Sequence, residues 1–185
     1  MKESSNNVTM REEAHVNRHL LIGGGGTKSI LAGVGAFCGL HSVNATNWSS
    51  IGGISGGSIP AVFIAHGMKP LELIRLSVRT DFASLLTSRR RIWRVIRRYL
   101  DQKDGPKLPI KALNSSQPLG DFIDSLIPEW PEKFWTMAMV DIKGVGRCQL
   151  VFTKDGVYRY SLDGVCVKLS DKPPSVGTAI RATCA

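Results

Sequence analysis

The chain has 185 residues, 43% of them hydrophobic and 21% charged, with a formal net charge of +9. That length and apolar content suit one domain with its own core and exclude a chain too polar to fold, while no run reaches the 18 or so unbroken apolar residues of a membrane span. The four cysteines (Cys38, Cys148, Cys166, Cys184) form no Cys-x-x-Cys pair and the four histidines (His15, His19, His41, His66) show no ligand spacing, so no disulfide framework, no metal and no cofactor is expected.

Residues 1–17 are polar, mixed in charge and without the apolar stretch of a signal peptide. They are expected to be a disordered arm ahead of one domain over 18–185, in a cytoplasmic protein with reduced thiols. His19–Ile22 reads as a strand. It runs into the glycine run Gly23-Gly24-Gly25-Gly26 and a helix from Thr27 to about His41. Trp48–Gly52 is a second strand, entering Gly53-Ile54-Ser55-Gly56-Gly57. Ser58–His66 leaves as an apolar helix, with Pro60 in the first turn where a missing N–H does no harm. Lys69-Pro70 opens a helical stretch over Leu71–Leu86, and Asp101–Gln117 is a surface loop. Gly120–Leu126 is a short helix followed by the turn Pro128-Glu129-Trp130-Pro131. Phe134–Asp141, Cys148–Thr153, Val157–Ser161 and Val165–Leu169 complete the chain as strands. The βαβα order predicts an α/β fold, a parallel sheet with helices on its faces and a site at the carboxyl ends of the strands.

Chemistry concentrates in the two glycine-rich turns. Gly53-Ile54-Ser55-Gly56-Gly57 is Gly-x-Ser-x-Gly between strand and helix, the pattern that presents a serine hydroxyl on a strained turn and aims the next helix's first amides at it. The upstream run fails both nucleotide-binding patterns. A Walker loop needs glycine where Ile22 and Thr27 stand, and a dinucleotide fingerprint needs its third glycine where Lys28 or Ser29 stands. What remains is a tight loop whose amides can hold an anion. A nucleotide-binding α/β domain is therefore the third-ranked reading.

Gly24-Gly25-Gly26-Thr27-Lys28 together with Gly53-Ile54-Ser55-Gly56-Gly57 resembles the patatin-like phospholipases. In that family a G-G-G-x-K/R-G loop forms the oxyanion hole, a G-x-S-x-G elbow carries the nucleophile, and an aspartate in a D-G-G/A motif completes a dyad without histidine. Here Ser29 replaces the loop's last glycine. Ala179-Ile180-Arg181-Ala182-Thr183-Cys184-Ala185 is similar to the family's A-x-x-A-S-x-A segment. The resemblance implies a three-layer fold with a mainly parallel central sheet. It also implies lipid or phospholipid ester hydrolysis by Ser55, and an oxyanion hole from Gly24, Gly25 and Gly26, with Gly53 and Gly57 shaping the elbow. The family's aspartate follows the A-x-x-A-S-x-A segment, so the dyad partner is expected outside this chain, in a remaining C-terminal part of the domain. The pairs Asp104-Gly105, Asp155-Gly156 and Asp163-Gly164 lack the following Gly or Ala and read as turns. His41 and His66 read as helix-end cations before they read as a triad base.

Arg89, Arg90, Arg91, Arg94, Arg97 and Arg98 crowd one short segment with Ile92, Trp93, Ile96, Tyr99 and Leu100. As a helix this segment is amphipathic. It suits either a surface helix packed on the core or peripheral contact with an anionic membrane through Arg90, Trp93, Arg94, Arg97 and Arg98. No nucleic-acid module accompanies it, and no nucleic-acid partner is expected. The expectation is a serine lipid acyl hydrolase. The alternative is a catalytically incomplete patatin-like module that binds lipid or a partner protein.

Overall fold

The computed structural model describes residues 17–86 and 116–184. Six strands form one sheet in chain order: β1 (His19–Ile22), β2 (Ser50–Ile54), β3 (Phe134–Ile142), β4 (Gly146–Thr153), β5 (Gly156–Ser161) and β6 (Cys166–Ser170). Pairing is parallel from β1 to β3 and antiparallel from β3 to β6. The helices are α1 (Thr27–Ser42), α2 (Ser58–Ala65), α3 (Pro70–Arg79), α4 (Phe82–Leu86), α5 (Gln117–Leu126) and α6 (Val176–Cys184).

The α/β class expected from the strand and helix order is what the chain adopts. Two features differ from the sequence reading. The sheet is mixed, its parallel part being confined to β1–β3. Among the described residues it also carries helices on one face only, giving two layers where three were expected. The cause is topological. β1, β2 and β3 lie side by side without a reversal of direction, and parallel crossovers of one hand then return on the same face. That face carries Leu20, Ile22, Ile51 and Phe134, packed with Ile30, Val34 and Phe37 of α1 and Ile59, Val62 and Phe63 of α2. The opposite face shows Leu21, Met139 and Tyr160 to solvent.

Two helical expectations are corrected. The stretch over 71–86 is interrupted: Thr80 is extended (φ −96, ψ 122), and the Asp81 carboxylate accepts the Ser84 amide at 3.1 Å, starting α4 afresh. The C-terminal segment, left without an element, is α6. Ser175 Oγ receives the Thr178 amide at its start, and Ala179 packs on Ala138 and Phe152 of the sheet. Asp155-Gly156 and Asp163-Gly164 are the hairpin turns that their composition predicts.

Candidate active site

The site is built where β1 and β2 end. Ser55 follows β2 with φ 53, a left-handed conformation that among the described non-glycine residues only Asn44 shares. Such a backbone costs on the order of 1 kcal/mol or more and persists only where the surroundings impose it. Three polar contacts do so. Thr183 Oγ1 of α6 accepts a hydrogen bond from the Ser55 amide at 2.8 Å and donates one to the Met137 carbonyl of β3. Ser58 Oγ donates to the Ser55 carbonyl at 2.6 Å. Thr136 Oγ1, fully buried, donates to the Gly53 carbonyl at 2.8 Å. The elbow is thus tied to β3 and α6.

The glycines of the two turns are required by close approach. A Cβ on Gly53 would lie 2.3 Å from Ser58 Cα, one on Gly56 would lie 2.1 Å from the Gly26 carbonyl oxygen, and one on Gly57 would lie 2.3 Å from that of Gly23. A Cβ on Gly24 would lie 3.1 Å from Ser55 Cβ. The two runs singled out in the sequence therefore form one unit, backbone against backbone, with Gly24 beside the serine side chain. Gly26, at φ 62 and ψ −147, holds a conformation essentially reserved for glycine and opens α1. Ser29, where the resembling motif has glycine, fits because its Oγ turns back to the Gly26 carbonyl at 2.7 Å.

The amides of Gly24, Gly25 and Gly26 donate to no protein acceptor among the described residues, and all three glycines are exposed. They precede the N-terminus of the 16-residue α1, whose first turn carries Lys28 and no acidic residue. The local field therefore favours negative charge. Beside the loop runs a groove of about 610 Å³ between β1 and α1, lined by Leu20, Ile22, Gly24, Lys28, Ala32 and Phe37 among others.

Ser55 Oγ itself makes no hydrogen bond among the described residues. His41 lies in the last turn of α1, and His66 caps the far end of α2. Both helices start at the site, so at 1.5 Å per residue these imidazoles end roughly 12 Å or more away. Asp155 and Asp163 sit in the β4–β5 and β5–β6 turns. The Asp163 carboxylate accepts from Ser161 Oγ, and this bond, with one from the Val165 amide, holds its pKa below the usual aspartate value. Asp104 and the membrane-contact candidates Arg90, Trp93, Arg94, Arg97 and Arg98 lie outside the described residues. Among the described residues no cluster of three metal-ligating side chains occurs, and no helix is long and apolar enough to cross a membrane. The sequence reading did not assign roles to Thr183, Thr136 or Ser58. The signal for the last two was a polar residue inside an otherwise apolar element.

No protein-family model matches the chain, and no curated protein matches it. Solved structures do. One is full-length SpcU in complex with full-length ExoU from the type III secretion system of Pseudomonas aeruginosa, matched at 18% identity and a TM-score of 0.46 over 76% of this chain and 35% of that one. A second ExoU–SpcU complex from the same system matches at 17% identity and a TM-score of 0.47, over 91% of this chain and 36% of that one. The crystal structure of type III effector protein ExoU matches at 16% identity and a TM-score of 0.47, over 91% of this chain and 39% of that one. The chain therefore spans little more than a third of the length of the solved chains it resembles.

Proposed function

We propose that this chain carries the nucleophile and the oxyanion-binding loop of a patatin-like serine acyl hydrolase that cleaves lipid esters. The observation that carries the reading is Ser55 at φ 53, in Gly-x-Ser-x-Gly between β2 and α2, packed directly against a glycine loop with unbonded amides. In the proposed reaction a carboxylate supplied from outside the described residues takes the Ser55 proton as Oγ attacks the acyl carbonyl. The oxyanion of the tetrahedral intermediate is held by amides of the Gly24–Gly26 loop, the alcohol leaves with the proton, and water releases the fatty acid from the acyl-serine. Away from Lys28 and Ser29 the groove beside the loop is lined by Leu20, Leu21, Ile22, Ala32, Ala36 and Phe37, which suits an acyl chain.

A fluorophosphonate probe tests the nucleophile directly. Covalent labelling at Ser55 that disappears in Ser55→Ala supports the reading; labelling that survives the substitution refutes it. The unbonded Ser55 Oγ favours one second reading, a patatin-like module that binds lipid or a partner protein without turnover. Stoichiometric lipid binding with no labelling at Ser55 is its signature.

A further inference from the structure

We infer that a second cavity, at the opposite end of the sheet from Ser55, binds a small amphipathic anion: a carboxylate or phosphate head on a short apolar body. The cavity measures about 340 Å³ and is walled by the end of α1, the entry to β2, the α2–α3 turn and the residue preceding β3. Three of its lining side chains, His41, Lys69 and Lys133, are basic, and no Asp or Glu lines it. None of the three forms an ion pair among the described residues. Lys133 Nζ is held by one bond, 2.9 Å to the Trp48 carbonyl, which leaves two ammonium protons to donate.

The floor is of the other character. Phe37 and Trp48 form a tilted aromatic pair with centroids 6.1 Å apart, and His41 stands edge-on to Phe37 at 6.0 Å. Ile64 and Met68 close the apolar side. Two lysines outside any ion pair among the described residues stand at the rim of an aromatic floor, with Glu132 near Lys133 but outside the lining. They match an anionic head with an apolar tail, since each half of such a ligand meets its own complement. The volume admits roughly eleven groups of water size, the size of octanoate or hexyl phosphate. Ile51, which lines the cavity, precedes Ser55 by four residues of extended chain, about 13 Å. The site is therefore separate from the elbow, although Phe37 stands between it and the groove beside the glycine loop and lines both.

The test titrates the whole chain with octanoate and hexyl phosphate, followed by amide NMR shifts and calorimetry, with 1-octanol and acetate as controls. Both anions are expected to saturate and to shift His41, Gly67 and Lys69, in addition to any separate response at Gly24–Gly26. The neutral alcohol and the tail-less acetate are expected to bind at least about tenfold more weakly. The Lys69→Gln, Lys133→Gln pair should weaken the anions about tenfold or more, Ala65→Leu should do the same by filling the cavity, and Ser55→Ala should change nothing. Whichever head binds more tightly identifies the source as a fatty acid or a phosphate ester. Equal binding of octanol and octanoate, indifference to both sets of substitutions, shifts confined to Gly24–Gly26, or no saturation in the millimolar range would each overturn the assignment.

Discussion

The two halves of the sheet use the same residue types for opposite purposes. In the parallel half, from β1 to β3, glycine is where two backbones touch. The Gly23 and Gly26 carbonyls stand 2.3 and 2.1 Å from where Cβ atoms of Gly57 and Gly56 would be. Two buried threonines reach backbone far away in sequence there, Thr183 to Ser55 across 128 positions and Thr136 to Gly53 across 83. In the antiparallel half Gly144, Gly146 and Gly164 take positive φ in open space, and Gly156 is the exception, since a Cβ there would lie 2.0 Å from the Ser170 carbonyl oxygen. The polar contacts of that half are exposed and mostly local: Ser161 with Asp163, and Lys168 with Asp171 at 2.7 Å, beside the longer-range pair of Lys154 with Glu132. A glycine that only turns the chain adds left-handed strain when substituted, whereas one that lets a loop reach Ser55 adds a clash with backbone.

The largest expected effect breaks the first half. Gly56→Val drives a side chain into the Gly26 carbonyl, and overpacking of that kind costs about 3 kcal/mol or more when the obstacle is backbone. Gly144→Ala, at φ 81 in open space, meets only the left-handed penalty of about 1–2 kcal/mol. Denaturant unfolding of the two variants measures the gap, and equal losses would dissolve the contrast.

Next in size is Thr183→Val. It keeps the shape of the side chain but leaves the Ser55 amide and the Met137 carbonyl unpaired in a part-buried setting, at about 1–3 kcal/mol. Because Ser55 loses its tether to α6, fluorophosphonate labelling should slow by more than the unfolded fraction explains. Thr183→Ser, which retains the hydroxyl, should recover most of the rate. Ser161→Ala in the antiparallel half should change stability by less than about 0.5 kcal/mol, as surface substitutions do, and leave labelling alone.

The same contrast decides what was legible in the sequence. Strand and helix periods with glycine punctuation placed His19–Ile22, the Thr27 helix, the elbow and all four C-terminal strands within about two residues, because those signals are local. The union of the two glycine runs was legible as spacing, since a strand–loop–helix repeat returns both turns to the same sheet end. Three things were not. The break at Thr80-Asp81 hides inside a helical pattern and is visible only as an Asp-x-x-Ser cap. The bare second face depends on strand order, which local pattern does not encode. Thr183 meets Ser55 only through tertiary packing. It stood out as part of a resembling segment, with nothing to show which atom it serves.

A third prediction compares thiols across the halves. Cys184, beside the elbow anchor, is held by burial at a pKa of about 11, whereas Cys166 on β6 is exposed. Alkylation near pH 8 should therefore modify Cys166 long before Cys184. The sign for stability follows. The folded-state pKa is raised, so the unfolded thiol ionises first, and Cys184's contribution is lost as pH climbs from its ordinary value of 9.0 through about 11. Cys184→Ala should flatten unfolding curves in that window and leave them unchanged in slope below it.

The smallest effect falls on Asp163, the Asp-Gly residue that a search for a catalytic carboxylate within this chain would try first. Its carboxylate is engaged by Ser161 Oγ and then by the Val165 amide, and both lower its pKa from 3.8. A lowered folded pKa means the contribution is present above 3.8 and is lost as pH falls through the folded value. The group is fully exposed, so solvent screens the gain and the loss on acidification should be slight. Carbon-detected NMR titration should find the Asp163 midpoint below the ordinary value, and Ser161→Ala should return it toward 3.8. Asp163→Asn should leave fluorophosphonate labelling of Ser55 unchanged at every pH. The residue closes a hairpin three strands from β2, and adjacent strands lie about 4.8 Å apart. If Asp163→Asn instead abolished labelling while the fold held, the antiparallel half would be supplying the base, and the division of labour between the halves would have to be redrawn.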